Sequence, residues 1–203
     1  RRVVAALEGE GPVPVLVVGE GSNLLVAESG FPGLVVHLDR QGDFGRIDLD
    51  DGGVTAGGAV RLPDLARRCA EAGHAGLSWM AGIPGSVGGS VRMNAGVSAD
   101  RVEVRHSLGW ADVFDLGTGE VERFSPDRLG FAYRRSGVAG SQVVTSARFA
   151  TTPGEPDAVA EENAVHLAHR RDTQETKRTG GSVWTNPAGT SAWSLVEAAG
   201  AKG

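Results

Sequence analysis

Apolar and polar positions along the chain change period several times, and each change marks an element. Val13-Pro14-Val15-Leu16-Val17-Val18 and Leu34-Val35-Val36-His37-Leu38 are short apolar runs bounded by turn residues, the pattern of buried strands. Arg46-Ile47-Asp48-Leu49 and Val54-Thr55-Ala56 alternate in the manner of half-buried strands, and Asp50-Asp51-Gly52-Gly53 between them predicts a hairpin. The period then becomes helical. Pro63 suits a first helical turn, Leu65, Ala66, Cys69 and Ala70 form one apolar stripe, and Gly73 ends it. Beyond a glycine-rich interruption, Val102 to Trp110, Val113 to Leu116, Val121 to Phe124 and Val143 to Phe149 read as strands. Short turns such as Gly117-Thr118-Gly119 predict that they form an antiparallel meander. Thr151-Thr152-Pro153-Gly154 breaks the pattern. From Glu155 to about Arg171 it is helical, with Ala158, Val165, Ala168 and Ala164, Leu167 on adjoining faces. An α+β fold is predicted, with a domain boundary near residue 150 that separates 1–150 from 151–203.

The interruption is the most informative stretch. Residues 82–96 place glycine at 82, 85, 88, 89 and 96 and proline at 84, where a core segment would carry Leu, Ile or Val. Glycine loses more conformational freedom on folding than other residues, so such a cluster implies positive φ or close approach of another group. A second cluster, Gly19-Glu20-Gly21-Ser22-Asn23-Leu24, follows the first apolar run. A strand followed by a Gly/Ser/Asn loop, twice over, can present backbone N–H groups to a diphosphate. Neither the phosphate-binding Gly-x-x-x-x-Gly-Lys-Ser/Thr motif nor the Gly-x-Gly-x-x-Gly dinucleotide fingerprint occurs at these loops. Contacts would come from backbone N–H groups and the Ser22, Asn23 and Ser86 side chains, without a paired cation. Either loop alone is equally compatible with a plain tight turn.

Composition narrows the classes. A net charge of −5 with no basic stripe argues against a nucleic-acid partner. No apolar run reaches the ~18 residues of a membrane span. Cys69 stands alone, which excludes a disulfide framework and a cysteine metal site; its small apolar neighbours make it a core filler. His166 and His169 share a helical face without an evident third ligand, so no metal is expected. A reducing, cytoplasmic setting is expected. Both ends read as internal to a longer chain.

Five blocks occur in order: Gly19 to Val26, Ala81 to Gly96, Phe131-Ala132-Tyr133-Arg134-Arg135-Ser136, Gly180-Gly181-Ser182-Val183-Trp184-Thr185-Asn186-Pro187, and Trp193 to Gly203. Together they resemble the UDP-N-acetylenolpyruvoylglucosamine reductase (MurB) family of peptidoglycan precursor synthesis. Tyr133 is the only tyrosine, so the resemblance is to the shorter form, which lacks a tyrosine-bearing insertion. The resemblance implies an FAD-binding domain of the vanillyl-alcohol-oxidase type at 1–150 and the start of an α+β substrate domain at 151–203. It implies non-covalent FAD, NADPH as hydride donor and a UDP-sugar substrate. The implied cofactor contacts are Gly19, Glu20, Gly21, Ser22, Asn23, Leu24, Gly82, Ile83, Pro84, Gly85, Ser86, Gly88, Gly89, Asn94, Ala95 and Gly96.

The implied chemistry adds hydride to an enolpyruvyl ether, which places charge on the α-carbon and its carboxylate. That requires a cation at the carboxylate and a proton donor at the α-carbon. By resemblance Arg134 supplies the cation, which remains charged and can hold a carboxylate bidentately; by itself the residue is also compatible with a structural ion pair. Ser182 matches the proton donor, although a serine at this place is otherwise a turn residue. Tyr133, Lys177 and Asn186 are implied at the substrate. Lys177 with Arg178 also reads as a solvated loop, Asn186 as the start of an Asn-Pro turn, and Gln174 replaces a lysine of some members. A third, acidic catalytic residue is expected beyond Gly203, so the chain alone is expected to be inactive. Another flavin oxidase of the same fold, or a non-catalytic flavin-binding module, is the alternative.

Overall fold

The computed structural model describes residues 13–97, 102–174 and 184–201. β1 (Val15–Val18) and β2 (Leu34–His37) pair in parallel, Val15 opposite Leu34 and Val18 opposite His37. The main sheet is antiparallel and has the order β3-β4-β10-β8-β9, formed by β3 (Ile47–Asp50), β4 (Gly53–Gly57), β8 (Leu108–Asp115), β9 (Val121–Phe124) and β10 (Gln142–Phe149). Two-residue ladders join β5 (His74–Ala75) to β11 (Thr152–Pro153) and β6 (Gly96–Val97) to β7 (Val102–Glu103). The predicted hairpin is present: β3 and β4 pair with Asp50 opposite Gly53.

Helix α1 (Leu62–Glu71) has proline in its first turn and buries Leu62, Leu65, Ala66, Cys69 and Ala70, the predicted stripe. Gly73, at φ +71°, takes the left-handed position that follows its C-terminus. A 3₁₀ turn at Ser78–Gly82 leads to helix α2 (Val87–Met93). Helices α3 (Pro126–Leu129), α4 (Pro156–Thr173) and α5 (Ala192–Ala198) complete the described elements. Phe149, Leu62, Leu65, Leu77, Met80, Leu129, Val54, Val87 and Val91 are almost fully enclosed between the sheet, α1 and α2. Each such burial is worth roughly 1.5–3 kcal/mol against exposure.

Two expectations need correction. The strands at 102–110 and 113–116 are in fact a two-residue strand, a 3₁₀ turn at Val104–His106 and one continuous strand, β8. Ala111 and Val113 keep the period of two by pointing inward, and Asp112 is held from the other face by Arg123 and Ser146. The strands also do not form a simple meander, because β10 inserts between β4 and β8.

The buried face of α4 is the second correction. Ala158, Ala164, Val165 and Ala168 are exposed, and only Leu167 of the expected set packs inward. The inward face is Val159, Asn163, Leu167 and Arg170, three or four residues apart. Its polar members bind backbone: Asn163 Nδ2 donates to the Ala66 carbonyl (3.1 Å) and Arg170 Nη1 to the Gly82 carbonyl (2.8 Å). Ser78 Oγ donates to Glu162 on the same helix (2.9 Å). A hydrophobicity count cannot see a face made of such contacts. Helix α4, beyond residue 150, therefore packs on α1 and on the turn that opens the glycine-rich stretch.

Candidate functional site

The two glycine loops meet. Ser22 Oγ donates to the Pro84 carbonyl at 3.0 Å. A Cβ on Gly19 would stand 2.5 Å from Ser86 Oγ, and one on Gly85, whose φ is +133°, would stand 3.3 Å from Ser22 Oγ. Only glycine permits this approach. Glu20 reaches Arg61 at 3.6 Å, and the Leu62 N–H donates to the Gly85 carbonyl, so both loops are tied to the start of α1.

The loops differ in what they offer. Among the described residues, no carbonyl accepts a hydrogen bond from the N–H groups of Glu20, Gly21, Ser22 or Asn23. In the second loop the N–H groups of Val87, Gly88 and Gly89 are taken, by the Val60 carbonyl, the Gly58 carbonyl and Ser86 Oγ respectively. At 87–89 the second loop is thus a wall rather than a set of donors. Gly88 must lack a side chain because its Cβ would lie 3.1 Å from the Gly58 and Val144 carbonyls.

A cavity of about 200 Å³ opens between β1, the end of β2, α2 and the start of β10. Of the residues expected from the sequence, Gly19, Glu20, Ser86, Gly88 and Gly89 line it. Gly21, Ser22, Asn23, Leu24, Gly82, Ile83, Pro84 and Gly85 do not, and Asn94, Ala95 and Gly96 lie beyond the far end of α2. Arg92, His37 and Gln142 line the cavity and were missed. Arg92 adds a cation to this wall, and among the described residues no carboxylate lies within ion-pair distance of it. Helical periodicity was the signal, since Arg92 follows Gly89 by three positions and Gly88 by four.

At the other end of α2 lies Arg134. Ala132 and Arg135 exchange hydrogen bonds, N–H to carbonyl at 2.9 and 3.1 Å, across the two-residue turn Tyr133-Arg134. Arg134 has φ +55°, in the left-handed region that favours glycine or asparagine at the second turn position. Its Nη2 donates to the Gly96 carbonyl (3.0 Å), and its guanidinium lies 5.3 Å from the Tyr133 ring centre. Among the described residues neither Arg134 nor Arg135 has a carboxylate within 4 Å. Tyr133 is half-exposed.

Asn186 Oδ1 accepts from the Ala192 N–H at 2.9 Å, just ahead of α5. Lys177, Arg178 and Ser182 lie outside the described residues. Among the described residues no group of three His, Cys, Asp or Glu side chains could hold a metal. None of the helices there is long and apolar enough to cross a membrane.

The family profile described as FAD binding domain matches residues 2–125. The UDP-N-acetylenolpyruvoylglucosamine reductase of Paramagnetospirillum magneticum is 42% identical over 203 residues, 99% of this chain and 64% of the relative. The same enzyme of a Bradyrhizobium strain is 41% identical over 94% of this chain and 61% of its own length. The chain thus spans less than two thirds of the curated relatives it matches. Among solved structures, UDP-N-acetylenolpyruvylglucosamine reductase (MurB) from Thermus caldophilus superposes with a TM-score of 0.80 at 33% identity, covering 98% of this chain and 71% of that one. The 6-hydroxy-D-nicotine oxidase of Arthrobacter nicotinovorans shares the fold, with a TM-score of 0.54 at 20% identity over 75% of this chain and 34% of its own. The architecture is the α+β FAD-binding fold.

The residues present fit that cofactor. A glycine-walled cavity, N–H groups at 20–23 and an Arg92 that have no partner among the described residues suit a flat group joined to a diphosphate. The volume of about 200 Å³ is below the ~300–1,000 Å³ of sites that enclose a whole ligand, so the cavity has room for one part of an extended dinucleotide only.

Proposed function

Because this chain belongs to the UDP-N-acetylenolpyruvoylglucosamine reductase (MurB) family, we propose that the whole protein reduces UDP-N-acetylglucosamine enolpyruvate to UDP-N-acetylmuramate with NADPH. FAD, when bound, would supply the redox chemistry that carries hydride from NADPH to the enolpyruvyl β-carbon. The chain's own residues do the rest. Gly19 to Asn23, Ser86, Gly88, Gly89 and Arg92 hold the cofactor. Arg134 holds the substrate carboxylate, into which the α-carbon charge spreads as the β-carbon is reduced. Ser182 hands its proton to that α-carbon, which completes addition across the double bond. Tyr133, Lys177 and Asn186 take up the substrate, and the division near residue 150 separates the cofactor unit from the substrate unit. The reaction belongs in the cytoplasm, where NADPH and nucleotide sugars are made.

The observation that carries the reading is the state of Arg134. A permanent cation with no carboxylate partner among the described residues is kept at φ +55°, a conformation that opposes its own side chain, and such strain clusters at functional positions.

The test is anaerobic flavin absorbance of the intact protein, with NADPH added first and the enolpyruvyl substrate second. Bleaching by NADPH followed by recovery only on the second addition is expected. Bleaching without recovery would assign the hydride to a different acceptor and overturn the proposal.

A further inference from the structure

Asn94 is fully buried, at φ +43° in the left-handed cap of α2, yet it touches no part of the cofactor cavity. Its side chain is fully engaged elsewhere. Nδ2 donates one hydrogen to Glu103 Oε2 (2.9 Å) and the other to the Ala132 carbonyl (3.1 Å), and Oδ1 accepts from the Arg105 N–H (3.2 Å). Ala132 is the first residue of the turn that presents Arg134.

Two further contacts act on the same turn. The Arg92 carbonyl accepts from Ser136 Oγ at 2.8 Å, and the Gly96 carbonyl accepts from Arg134 Nη2 at 3.0 Å. Positions 92, 94 and 96 thus each grip one point of residues 132–136. The grip of Asn94 is the one that fixes the turn's backbone through a side chain. Glu103, which takes the other amide hydrogen, is itself tied to Arg105 at 2.9 Å, so the amide cannot rotate without leaving buried polar groups unpaired.

We propose that Asn94 is a positioning residue, which registers the Arg134 turn against α2 and thereby sets where the guanidinium stands relative to the cofactor cavity. This rests on the reading of Arg134 as the group that holds the substrate carboxylate. A misplacement near 1 Å of such a group can cost about 10²-fold in rate.

Asn94→Gly isolates the side chain, because glycine is the residue a left-handed helix cap prefers. In the full-length, flavin-loaded protein, stopped-flow absorbance follows flavin reduction by NADPH and reoxidation by UDP-N-acetylglucosamine enolpyruvate. Flavin fluorescence reports FAD affinity. The set is wild type, Asn94→Gly, Arg134→Ala and the double variant. Expected for Asn94→Gly are FAD affinity and reduction within about twofold of wild type, and reoxidation slowed about 10²-fold. Added to Arg134→Ala, it should slow reoxidation no further, because its only route is through Arg134.

Equal effects with and without Arg134, or a joint fall in FAD affinity and both half-reactions, would overturn the proposal. If Asn94→Gly does not fold, Ser136→Ala removes another grip on the same turn and should slow reoxidation alone, again only while Arg134 is present. An Arg134→Ala variant that reoxidises normally would overturn the reading of Arg134, and this inference with it. Slow reoxidation in Arg134→Ala beside normal reoxidation in Asn94→Gly would overturn this inference alone.

Discussion

Replacing Arg134 by glycine and, separately, by alanine measures the strain in the turn without confusing it with lost contacts. Both variants lose the hydrogen bond to the Gly96 carbonyl and the contact with Tyr133, so those losses cancel in the comparison. What differs is the Cβ. At φ +55° a residue with a Cβ bears about 1–2 kcal/mol that glycine does not. Against this, glycine has the more flexible unfolded chain, which costs about 0.4–1 kcal/mol. The net expectation is that the glycine variant is more stable than the alanine variant by on the order of 0.5–1 kcal/mol. Urea denaturation at fixed flavin saturation measures it, as a higher midpoint with an unchanged slope. In a thermal scan the same difference is a melting temperature higher by about 1–4 °C for a domain of this size. Reoxidation of the reduced flavin by the enolpyruvyl substrate should fall equally in both variants. An alanine variant as stable as the glycine variant would show that the turn stores no Cβ strain, and normal reoxidation in either would remove Arg134 from the chemistry.

Gly89→Ala should raise the stability of the flavin-free protein by up to ~1 kcal/mol, since glycine within a helix is the weaker former and the new Cβ meets Ser86 Oγ at an acceptable 3.4 Å. The same methyl enters the cavity wall, so FAD affinity measured by flavin fluorescence should fall; unchanged affinity would exclude this wall from the cofactor site. Burial pushes the Cys69 thiol up to about 11, so iodoacetamide at pH 8 should label the unfolded protein and spare the native one. Because that raised value belongs to the folded state, the contribution to stability is complete below about pH 9 and is lost as pH rises toward 11. Cys69→Ala should flatten that decline in urea midpoints. Arg148 donates two hydrogen bonds to Asp50 and lowers its carboxyl from 3.8 to about 2. The contribution of that pair is present above about pH 4 and is lost as pH falls through 2, so Asp50→Asn should reduce the loss of stability in that window, leaving the shares of Asp112, Asp115 and Glu71.

Elements that stand on one clean period were legible in the sequence. The α1 stripe and the β3–β4 hairpin are read from side chains that bury apolar surface and do nothing else. Legibility failed where burial is accomplished by hydrogen bonds. The inward face of α4 uses Asn163 and Arg170 against backbone carbonyls, and polar residues there look like solvent-facing ones to any hydrophobic count. The place of β10 was hidden for another reason. Its partners β4 and β8 are distant in the chain, and period two says that a strand exists without saying beside which one it lies.

The glycine-rich stretch illustrates how one signal can contain two devices. Its first part, through Gly89, is glycine because another backbone or a ligand must come close. Its last part uses Asn94, a residue that tolerates φ above zero and brings an amide with it, where glycine would have satisfied the backbone alone. The family resemblance implies both parts as cofactor contacts, and composition alone, which departs from core usage in both, does not separate them. Along the seven residues of α2, Gly88, Gly89 and Arg92 line the cavity while the Arg92 carbonyl and the Asn94 cap hold the Arg134 turn, so one short helix serves both. If Arg134 holds the substrate carboxylate as proposed, its spacing from the cofactor wall is set by a rigid element rather than by a loop, the kind of fixed spacing that hydride delivery to a carbon beside a held carboxylate requires.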